Sequence, residues 1–379
     1  MSAAVLFREI RCSNQALIGV ATLNVEKSLN ALSLEMVQLL DQQLLLWAED
    51  RKVVLVILEA AGEKAFCAGG DLLPLYHSMR EHHASDQADD CSANIYAGQF
   101  FSTEYALDYL IHHYPKPVLC WGHGIVMGGG VGLMAGASHK VVTETSRVAM
   151  PEISIGLFPD VGGSWLLSRM PQKSGLFLAL TGAQIRAADC LFVGMADVAI
   201  LQARKNDVID ALGTQAWTTD RTDNDARLTA LLASFSAPEL SQAGPLQQHL
   251  PLINTLCKGN SITEIVDTIK ANEIDDPWFA KAVATLRAGS PTSAALAHAL
   301  LQKASAMDLA DVFRLEYVAA LRCATGTDFA EGIRALLVDK SGNPNWIPAS
   351  TEALTPAMLN HFFTEPAWHQ HPLHQLGKE

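Results

Sequence analysis

The sequence predicts an α/β fold over residues 1–205 and a helical region over residues 206–379. In the first part, short apolar runs of strand length alternate with runs of helical periodicity, which is typical of sheets covered by helices. In the second part the strand patterns end and only helical patterns continue. The chain has 379 residues, of which 49% are hydrophobic and 18% charged, so it is globular and long enough for two domains or for one elaborated domain.

The first predicted elements are two strands, a helix and a buried strand. Residues 5–12 and 16–23 are strand-length runs separated by a short polar turn. Residues 34–47 have an amphipathic helical pattern, and Ser33 before them is a suitable N-cap. Residues 53–58 are Val-Val-Leu-Val-Ile-Leu, and this unbroken apolar run predicts a strand that is buried on both faces.

Two buried strands lead into glycine turns. The strand at 53–58 is followed by glycines at 69–70, and a second apolar strand at 118–121 is followed by three glycines at 128–130. Glycine has no Cβ, so its backbone can turn tightly and approach a ligand closely. Each turn could offer one N–H to the same oxygen, which is the arrangement of an oxyanion hole. A glycine triplet alone is weak evidence, because it also serves close packing.

A loop rich in proline and glycine follows at residues 150–163. It places two carboxylates, Glu152 and Asp160, eight residues apart, with Pro151 and Pro159 directly before them. Two acids on a shaped loop beside an anion-binding turn are candidates for acid/base or nucleophilic chemistry. The simpler interpretations are a salt-bridged acid for Glu152 and a turn-forming residue for Asp160.

The remaining elements continue the alternation and then become helical. A helix at 96–113 carries Glu104, which from its pattern alone is either a surface acid or a substrate-binding group. Further strands are expected at 141–143, 147–150 and 197–199, with helices at 175–180 and 183–193. Beyond residue 206 helical patterns occupy 222–272, 277–287, 291–305, 308–324 and 329–338.

Charge and cysteine usage restrict the classes of function. The formal net charge of −13 repels nucleic acid and anionic membranes, and no apolar run reaches the roughly 18 residues of a membrane span. The seven cysteines are scattered without a Cys-x-x-Cys pair, and no targeting signal is visible, so we expect a cytoplasmic protein. His82 and His83 are adjacent and cannot easily face one ion, so we expect a solvated surface there and no metal site.

The glycine and carboxylate motifs together resemble a known superfamily. Residues 66–72, the Met-Gly-Gly-Gly run at 127–130 and the Pro-Glu to Pro-Asp-Val-Gly-Gly run at 151–163 are similar to the crotonase (enoyl-CoA hydratase/isomerase) superfamily. Within it they most resemble the 3-hydroxyisobutyryl-CoA hydrolases. The resemblance extends from about residue 6 to about residue 365. It implies a ββα spiral core with a CoA-thioester site over residues 1–205, followed by a helical C-terminal region over 206–379.

The resemblance also implies roles for individual residues. The backbone N–H groups of Gly70 and Gly129 match the oxyanion hole of the family. Glu152 matches the glutamate that many crotonases use for acid/base work, and Asp160 matches the aspartate of the hydrolases. Glu104 matches a substrate-contacting glutamate of the hydrolases. Substrate binding is therefore expected at Glu104, Gly129, Glu152 and Asp160, with Glu152 and Asp160 as the catalytic pair.

One position separates the hydrolases from the hydratases. Hydratases carry a second catalytic glutamate two residues beyond the glycine triplet, and this chain has Gly132 there, as the hydrolases do. The expected reaction is therefore hydrolysis of a short β-hydroxyacyl-CoA thioester, 3-hydroxyisobutyryl-CoA first among them, as in valine catabolism. Glu152 would either attack the acyl carbon or activate water, and Asp160 would bind the substrate hydroxyl or protonate the leaving thiolate. Coenzyme A is part of the substrate, and no cofactor is expected.

Three alternative functions agree less well with the sequence. An enoyl-CoA isomerase would use Glu152 alone and leaves Asp160 unexplained. A non-catalytic CoA-binding protein would need neither acid. RNA binding, which some crotonase relatives show, disagrees with the net charge of −13.

The expected partner is an acyl-CoA whose phosphates are held by Lys or Arg side chains. The resemblance implies a homotrimer or hexamer, although the helical C-terminal region could cover the usual interface.

Overall fold

The computed structural model describes residues 3–378, and within them nine strands form two sheets. The strands are β1 Val5–Arg11, β2 Leu17–Leu23, β3 Val53–Ala60, β4 Ala65–Cys67, β5 Val118–Gly122, β6 Ile125–Met127, β7 His139–Val142, β8 Arg147–Ala149 and β9 Val198–Ala199. The predicted strands at 5–12, 16–23, 53–58 and 118–121 are confirmed to within two residues at each end.

The larger sheet has six strands in the order β1-β2-β3-β5-β7-β9. Strands β1 and β2 form an antiparallel pair with Val5 opposite Leu23, and the other neighbours are parallel. All eight residues of β3 are buried. A central strand of a parallel sheet is covered on both faces, which explains its unbroken apolar sequence.

The smaller sheet has the order β4-β6-β8. Strands β4 and β6 run parallel, with Ala65 opposite Ile125 and Cys67 opposite Val126. Because the carboxyl ends of parallel strands lie at the same edge, the two glycine turns leave this sheet side by side.

Seventeen α-helices lie among residues 3–378. They are α1 Leu34–Glu49, α2 Leu72–His83, α3 Ile95–His112, α4 Gly129–Ala135, α5 Gly163–Ser168, α6 Ser174–Thr181, α7 Ala187–Val193, α8 Lys205–Thr214, α9 Arg221–Ser234, α10 Pro245–Gln248, α11 Leu250–Leu256, α12 Ile262–Lys270, α13 Pro277–Ala288, α14 Pro291–Ala304, α15 Leu309–Thr325, α16 Thr327–Ile333 and α17 Pro356–His361. A 3-10 helix occupies Glu152–Ile155, and α16 continues into a π-helical turn at Arg334–Val338.

The chain forms two compact units, each built from separate segments. The first unit contains residues up to 70, 107–148 and 184–247, and the second contains 71–106, 149–183 and 248–379. The predicted border at residue 205 follows the end of the strand pattern, and it stays a prediction about how the chain divides.

The core of the first unit is the six-stranded sheet with helices on it. Ile18, Leu55 and Trp121 from the strands pack with Leu212 of α8 and Leu228 of α9, and all five side chains are buried. The Trp121 indole N–H donates to Gln202 Oε1 at 2.8 Å. The amphipathic helix α1 begins as predicted, because Ser33 accepts the N–H of Met36.

The second unit is a helical assembly. Helix α14 packs against α5 and α6, and α15 packs against α2, α5 and α16. Its C-terminal helices confirm the predicted absence of strand patterns beyond residue 206 in the described chain. The stretch at 222–272, which is predicted to form helices with polar breaks, contains four α-helices, α9 to α12, and Pro238 lies in the break between α9 and α10.

Two further features of the described residues bear on the predictions. His82 is buried, so the predicted solvated surface is wrong there, since this end of α2 is covered by its own unit. Between residues 3 and 378, no helix combines the length and the apolar character needed to cross a membrane.

Candidate active site

The two predicted glycine turns meet within the first unit. Gly69 has a φ of +105°, and a Cβ at this position would lie 3.5 Å from the Met127 carbonyl oxygen. A Cβ on Gly130 would clash with the Cys67 carbonyl oxygen. The turns therefore lie in contact: a side chain at Gly130 would force them apart, whereas a residue other than glycine at position 69 would strain the backbone.

The N–H groups of the glycine triplet begin helix α4. Gly128 has a φ of +48°, and its carbonyl accepts the N–H groups of Val131 at 2.7 Å and Gly132 at 3.2 Å. The Gly129 N–H is in the first turn, where an α-helix leaves its N–H groups without intrahelical acceptors. Gly70 follows the neighbouring strand β4, so the two predicted oxyanion donors are on adjacent turns. Their role stays a prediction.

Glu152 lies in the second unit at the start of a 3-10 helix. Pro151 precedes it, and Gly156 ends the helix with a φ of +74° and an N–H bonded to the Glu152 carbonyl. The Glu152 side chain is only 4% exposed, and its Oε2 has no hydrogen-bond partner among residues 3–378. Burial raises the pKa of Glu152 well above its ordinary value, and the charge of Asp160 raises it further. The buried, unpaired Oε2 does not favour the simpler interpretation of Glu152 as a loop acid in a salt bridge.

Asp160 lies in a left-handed turn of the same unit. Val161 and Gly162 have φ values of +53° and +80°, and the Asp160 carbonyl accepts the Gly163 N–H at 2.6 Å. The carboxylate is 5% exposed, and its Oδ2 accepts the Tyr105 hydroxyl at 2.7 Å. Asp160 does form part of a turn, as the simpler interpretation proposed, but its side chain points into a buried polar cluster.

Glu104 and Tyr105 belong to this cluster. Both are on α3 and almost fully buried. Burial raises the pKa of Glu104 well above its ordinary value, and the charge of Asp160 raises it further. The second unit therefore brings three predicted site residues, Glu104, Glu152 and Asp160, close enough that the charge of one changes the pKa of the others.

The three carboxyl groups differ in the pH at which they ionise. Burial raises the pKa of Asp160 to about 6, although the Tyr105 hydroxyl bond pulls it down. The pKa values of Glu104 and Glu152 are raised well above their ordinary range, and no side-chain donor lowers them. Burial therefore favours the neutral form of all three carboxyl groups, and Asp160 is the one whose ionised form accepts a hydrogen bond from a side chain.

Tyr105 and Glu316 are polar partners that sequence reasoning did not assign to the site. The carboxylate of Glu316, from α15, accepts the N–H of Gly162 at 2.7 Å and of Ser164 at 2.9 Å. The signal for Tyr105 is only its position next to Glu104. The signal for Glu316 is an acid on the otherwise apolar buried face of a helix, which calls for a specific partner.

No group of three or more His, Cys, Asp or Glu side chains within residues 3–378 is placed to hold a metal ion. All seven cysteines are buried, and burial raises the pKa of Cys120 and Cys190 far above its usual range. Such thiols stay protonated and are poor nucleophiles. The candidate groups are therefore the backbone N–H donors of the first unit and, separately, the carboxyl groups of the second unit.

Known proteins are similar to this chain over most of its length. A family model described as enoyl-CoA hydratase/isomerase matches residues 18–363. The mitochondrial 3-hydroxyisobutyryl-CoA hydrolase of Xenopus tropicalis is 37% identical over 350 residues, which cover 91% of this chain and 86% of that protein.

Solved structures extend the comparison to the fold. A carnitinyl-CoA dehydratase from Mycobacterium thermoresistibile has a TM-score of 0.82 and 33% identity, covering 97% of this chain and 98% of that one. An enoyl-CoA hydratase from Rhodobacter sphaeroides 2.4.1 has a TM-score of 0.80 and 33% identity, covering 96% and 98%.

Proposed function

Since this chain belongs to the enoyl-CoA hydratase/isomerase family, we propose that it hydrolyses a short β-hydroxyacyl-CoA thioester, with 3-hydroxyisobutyryl-CoA as its substrate. The predicted crotonase-type fold is confirmed by the two solved structures. The curated relatives are thioester hydrolases, and the chain is an enzyme of this class. The observation that carries the substrate proposal is the buried pair of Glu152 and Asp160 in a chain with glycine at position 132.

The backbone donors stabilise the charge that develops on the thioester oxygen. As the acyl carbon is attacked, its oxygen becomes negative, and the N–H groups of Gly70 and Gly129 bind this oxyanion. Fixed donors of this kind stabilise the transition state more than the ground state. Removing one typically costs roughly 100- to 1000-fold in rate. The contact between the two glycine turns supports this role.

The carboxyl pair carries the proton chemistry. With Asp160 ionised and Glu152 protonated in the free enzyme, the pair holds one proton near neutral pH. Transfer of this proton to Asp160 leaves Glu152 as the carboxylate that attacks or activates water, and makes Asp160 the acid that protonates the departing thiolate. One proton therefore serves both residues without a change in the net charge of the pair.

Attack by Glu152 and activation of water by Glu152 give different products in labelled water. Attack forms a mixed anhydride, and water that opens it at the Glu152 carbonyl leaves one ¹⁸O in this side chain. Repeated turnover in H₂¹⁸O followed by mass spectrometry of the peptide containing Glu152 measures this. Label in Glu152 establishes the anhydride, whereas label in the product acid alone favours water attacking the acyl carbon.

Glu104 and Asp160 recognise the hydroxyl group of the acyl chain in this proposal. A protonated Glu104 donates a hydrogen bond and an ionised Asp160 accepts one, so together they fit a group that is both donor and acceptor. An acyl chain without the hydroxyl would leave both groups buried and unpaired, which is costly. The pocket chemistry thus favours β-hydroxyacyl groups over plain acyl groups.

A hydratase is the main alternative, because both solved relatives are named for hydration or dehydration. Hydration of a double bond needs two carboxylates around one water in this family. The position that supplies the second one is Gly132, a buried residue of α4 without a side chain. This absence favours hydrolysis.

The cellular setting is a proposal as well. The products would be 3-hydroxyisobutyrate and CoA, as in valine catabolism, and no cofactor beyond the CoA of the substrate takes part. The seven buried cysteines favour a reducing compartment, for which we propose the cytoplasm. The curated relatives are named mitochondrial, so cell fractionation with an antibody to this chain decides between the two compartments.

Crotonase relatives suggest a homotrimer or hexamer, and light scattering measures the mass of the assembly in solution.

The deciding experiment measures free-thiol release from 3-hydroxyisobutyryl-CoA and, in parallel, water addition to crotonyl-CoA. We expect fast thiol release that Glu152→Gln and Asp160→Asn both abolish, and no hydration of crotonyl-CoA. Hydration without thiol release would contradict the hydrolase proposal. Isobutyryl-CoA, which lacks the hydroxyl, is the matched substrate and should react more slowly.

A further inference from the structure

Glu316 is a fully buried carboxyl in the second unit that none of the proposed chemical steps uses. It lies on α15, where Phe313, Tyr317 and Ala320 on the same helix are buried as well. Burying a carboxyl group is costly unless its oxygens are hydrogen-bonded. Each Glu316 oxygen accepts one backbone N–H: Oε2 that of Gly162 and Oε1 that of Ser164.

These two bonds hold the turn that carries Asp160. Val161 has a φ of +53° and Gly162 a φ of +80°, so two successive residues are left-handed. For a β-branched valine this conformation is rare, and it persists only where the surroundings fix it. The bonds from Glu316 fall directly after Val161 and at the first turn of α5, where N–H groups lack intrahelical partners.

The same turn sets the position of the Asp160 side chain. The Asp160 carbonyl accepts the Gly163 N–H, and its carboxylate accepts the Tyr105 hydroxyl at 2.7 Å. A shift of the turn would lengthen the hydroxyl bond, because Tyr105 belongs to a different helix, α3. Asp160 is thus held from two sides, by Tyr105 at its side chain and by Glu316 through its backbone.

We propose that Glu316 is a positioning residue, which keeps residues 161–164 in their left-handed turn and so holds the Asp160 carboxylate on the Tyr105 hydroxyl. Its effect on turnover rests on the proposed function. Its effect on the Asp160 carboxylate does not, and this separates the two ideas experimentally.

The direction of that effect follows from the groups that face Asp160. They are Glu104 and Tyr105 from α3, Glu152 from the 3-10 helix, and Glu316 and Cys323 from α15. Tyr105 is the one among them that lowers the pKa of Asp160. If Glu316→Gln loosens the turn, this donor is weakened and the pKa of Asp160 rises. Burial raises the pKa of Glu316 to about 8, so this group is largely protonated near pH 6 and its charge adds little to the pKa of Asp160.

Asp189 supplies a matched control. This buried carboxylate of α7, in the first unit, accepts the N–H of Leu246 at 3.1 Å and of Gln247 at 3.0 Å, at the start of α10. It thus makes the same kind of bond as Glu316, to a helix start that carries no site residue. Asp189→Asn reports what the loss of such a bond does to folding alone.

The experiment titrates the Asp160 carboxyl by NMR in protein labelled with ¹³C at aspartate carboxyl carbons, with the signal assigned by its loss in Asp160→Asn. In Glu316→Gln we expect the pKa of Asp160 to rise above the wild-type value. We also expect kcat for thiol release to fall about 100-fold, the typical cost of a misplaced catalytic group. The acid limb of the pH profile should move upward by as much as the pKa of Asp160 rises. Asp189→Asn should change none of these three quantities.

Three results would overturn the proposal: an unchanged pKa of Asp160 in folded Glu316→Gln, a lowered pKa, or an equal loss of kcat in Asp189→Asn. If the wild type releases no thiol, the proposed function fails, while the titration still decides the role of Glu316. If the Glu316→Gln variant does not fold, the test is instead a measurement of amide hydrogen exchange in the wild type. The Gly162 and Ser164 amides should then exchange as slowly as those of Leu246 and Gln247, and fast exchange would contradict the proposal.

Discussion

The two compact units carry different kinds of candidate chemistry. In the first unit the candidate groups are the backbone N–H groups of Gly70 and Gly129, which do not titrate. In the second unit they are the side chains of Glu104, Glu152 and Asp160, whose protonation depends on burial and on one another. An added side chain that displaces the backbone donors should therefore lower the catalytic rate equally at every pH. Substitutions in the carboxyl cluster, even isosteric ones, should change the rate and its dependence on pH.

The largest effect is expected in the second unit, from Glu152→Gln. The amide cannot attack the acyl carbon or accept a proton from water, so kcat for thiol release should fall by roughly 1000-fold, within the range for loss of a catalytic acid or base. The measurement is steady-state thiol release at pH 7. Glu59→Gln is the control, because Glu59 is a buried glutamate of the first unit that pairs with Lys205, and its loss should leave kcat within about twofold of wild type. A near-normal rate in Glu152→Gln would remove this residue from the mechanism.

A smaller but still large effect is expected in the first unit, from Gly130→Ala. The added Cβ clashes with the Cys67 carbonyl oxygen and pushes the two glycine turns apart, so the oxyanion donors separate. We expect kcat/KM to fall about 100-fold, the cost of losing one donor. The pH profile between pH 5 and 9 should keep its shape, because no titrating group is altered.

Gly213→Ala is the matched control for that prediction. Gly213 lies in α8 of the same unit, and its added Cβ meets only Ile10 at 3.8 Å, an ordinary contact. Alanine is also the better helix former, so this variant should be as active and at least as stable as wild type. A changed pH profile in Gly130→Ala would mean that the two kinds of chemistry are not independent.

The same contrast explains what could be predicted from the sequence. The glycine turns can be predicted because each depends on a short local pattern, a strand followed by residues without Cβ, at 69–70 and 128–130. The strands and the positions of Glu152 and Asp160 followed for the same reason. Two partners could not be predicted from the sequence. Tyr105, which donates its hydroxyl to Asp160, is 55 residues away from it, and Glu316 is more than 150 residues away from the turn that it binds. Contacts of this length depend on packing, which a local pattern does not encode.

The next effect concerns stability. Burial raises the pKa of Asp160 from 3.8 to about 6, so its folded form binds a proton more tightly than its unfolded form does. This contribution is fully present below pH 3.8 and is lost as the pH rises to about 6, at a total cost of roughly 3 kcal/mol. Asp160→Asn does not titrate. Relative to wild type, its free energy of unfolding should therefore rise by about 2 kcal/mol between pH 4 and pH 7, since part of the contribution is already lost at pH 4.

Urea unfolding of both proteins at pH 4 and pH 7 measures this difference. The comparison between the two pH values cancels any constant effect of the substitution, such as a weaker bond to Tyr105. A difference that is the same at both pH values would show that Asp160 titrates normally and is not strained by burial. Asp189→Asn, in the first unit, serves as the reference for a buried aspartate outside the cluster.

The smallest effect should come from Tyr105→Phe, and it isolates the side-chain donor that lowers the pKa of Asp160. Without this donor the pKa of Asp160 rises above about 6, so the pair of Glu152 and Asp160 becomes doubly protonated at a higher pH. Since catalysis needs one proton on the pair, kcat at pH 6 should fall about tenfold, in line with the strength of a hydrogen bond to a charged group, while kcat at pH 8 changes little. Tyr114→Phe is the control, because its buried hydroxyl donates to the Leu44 carbonyl in the first unit and should leave the profile unchanged. An acid limb that stays in place in Tyr105→Phe would mean that the tyrosine only fills space, and the pH dependence would then have to come from Glu104 or Glu152.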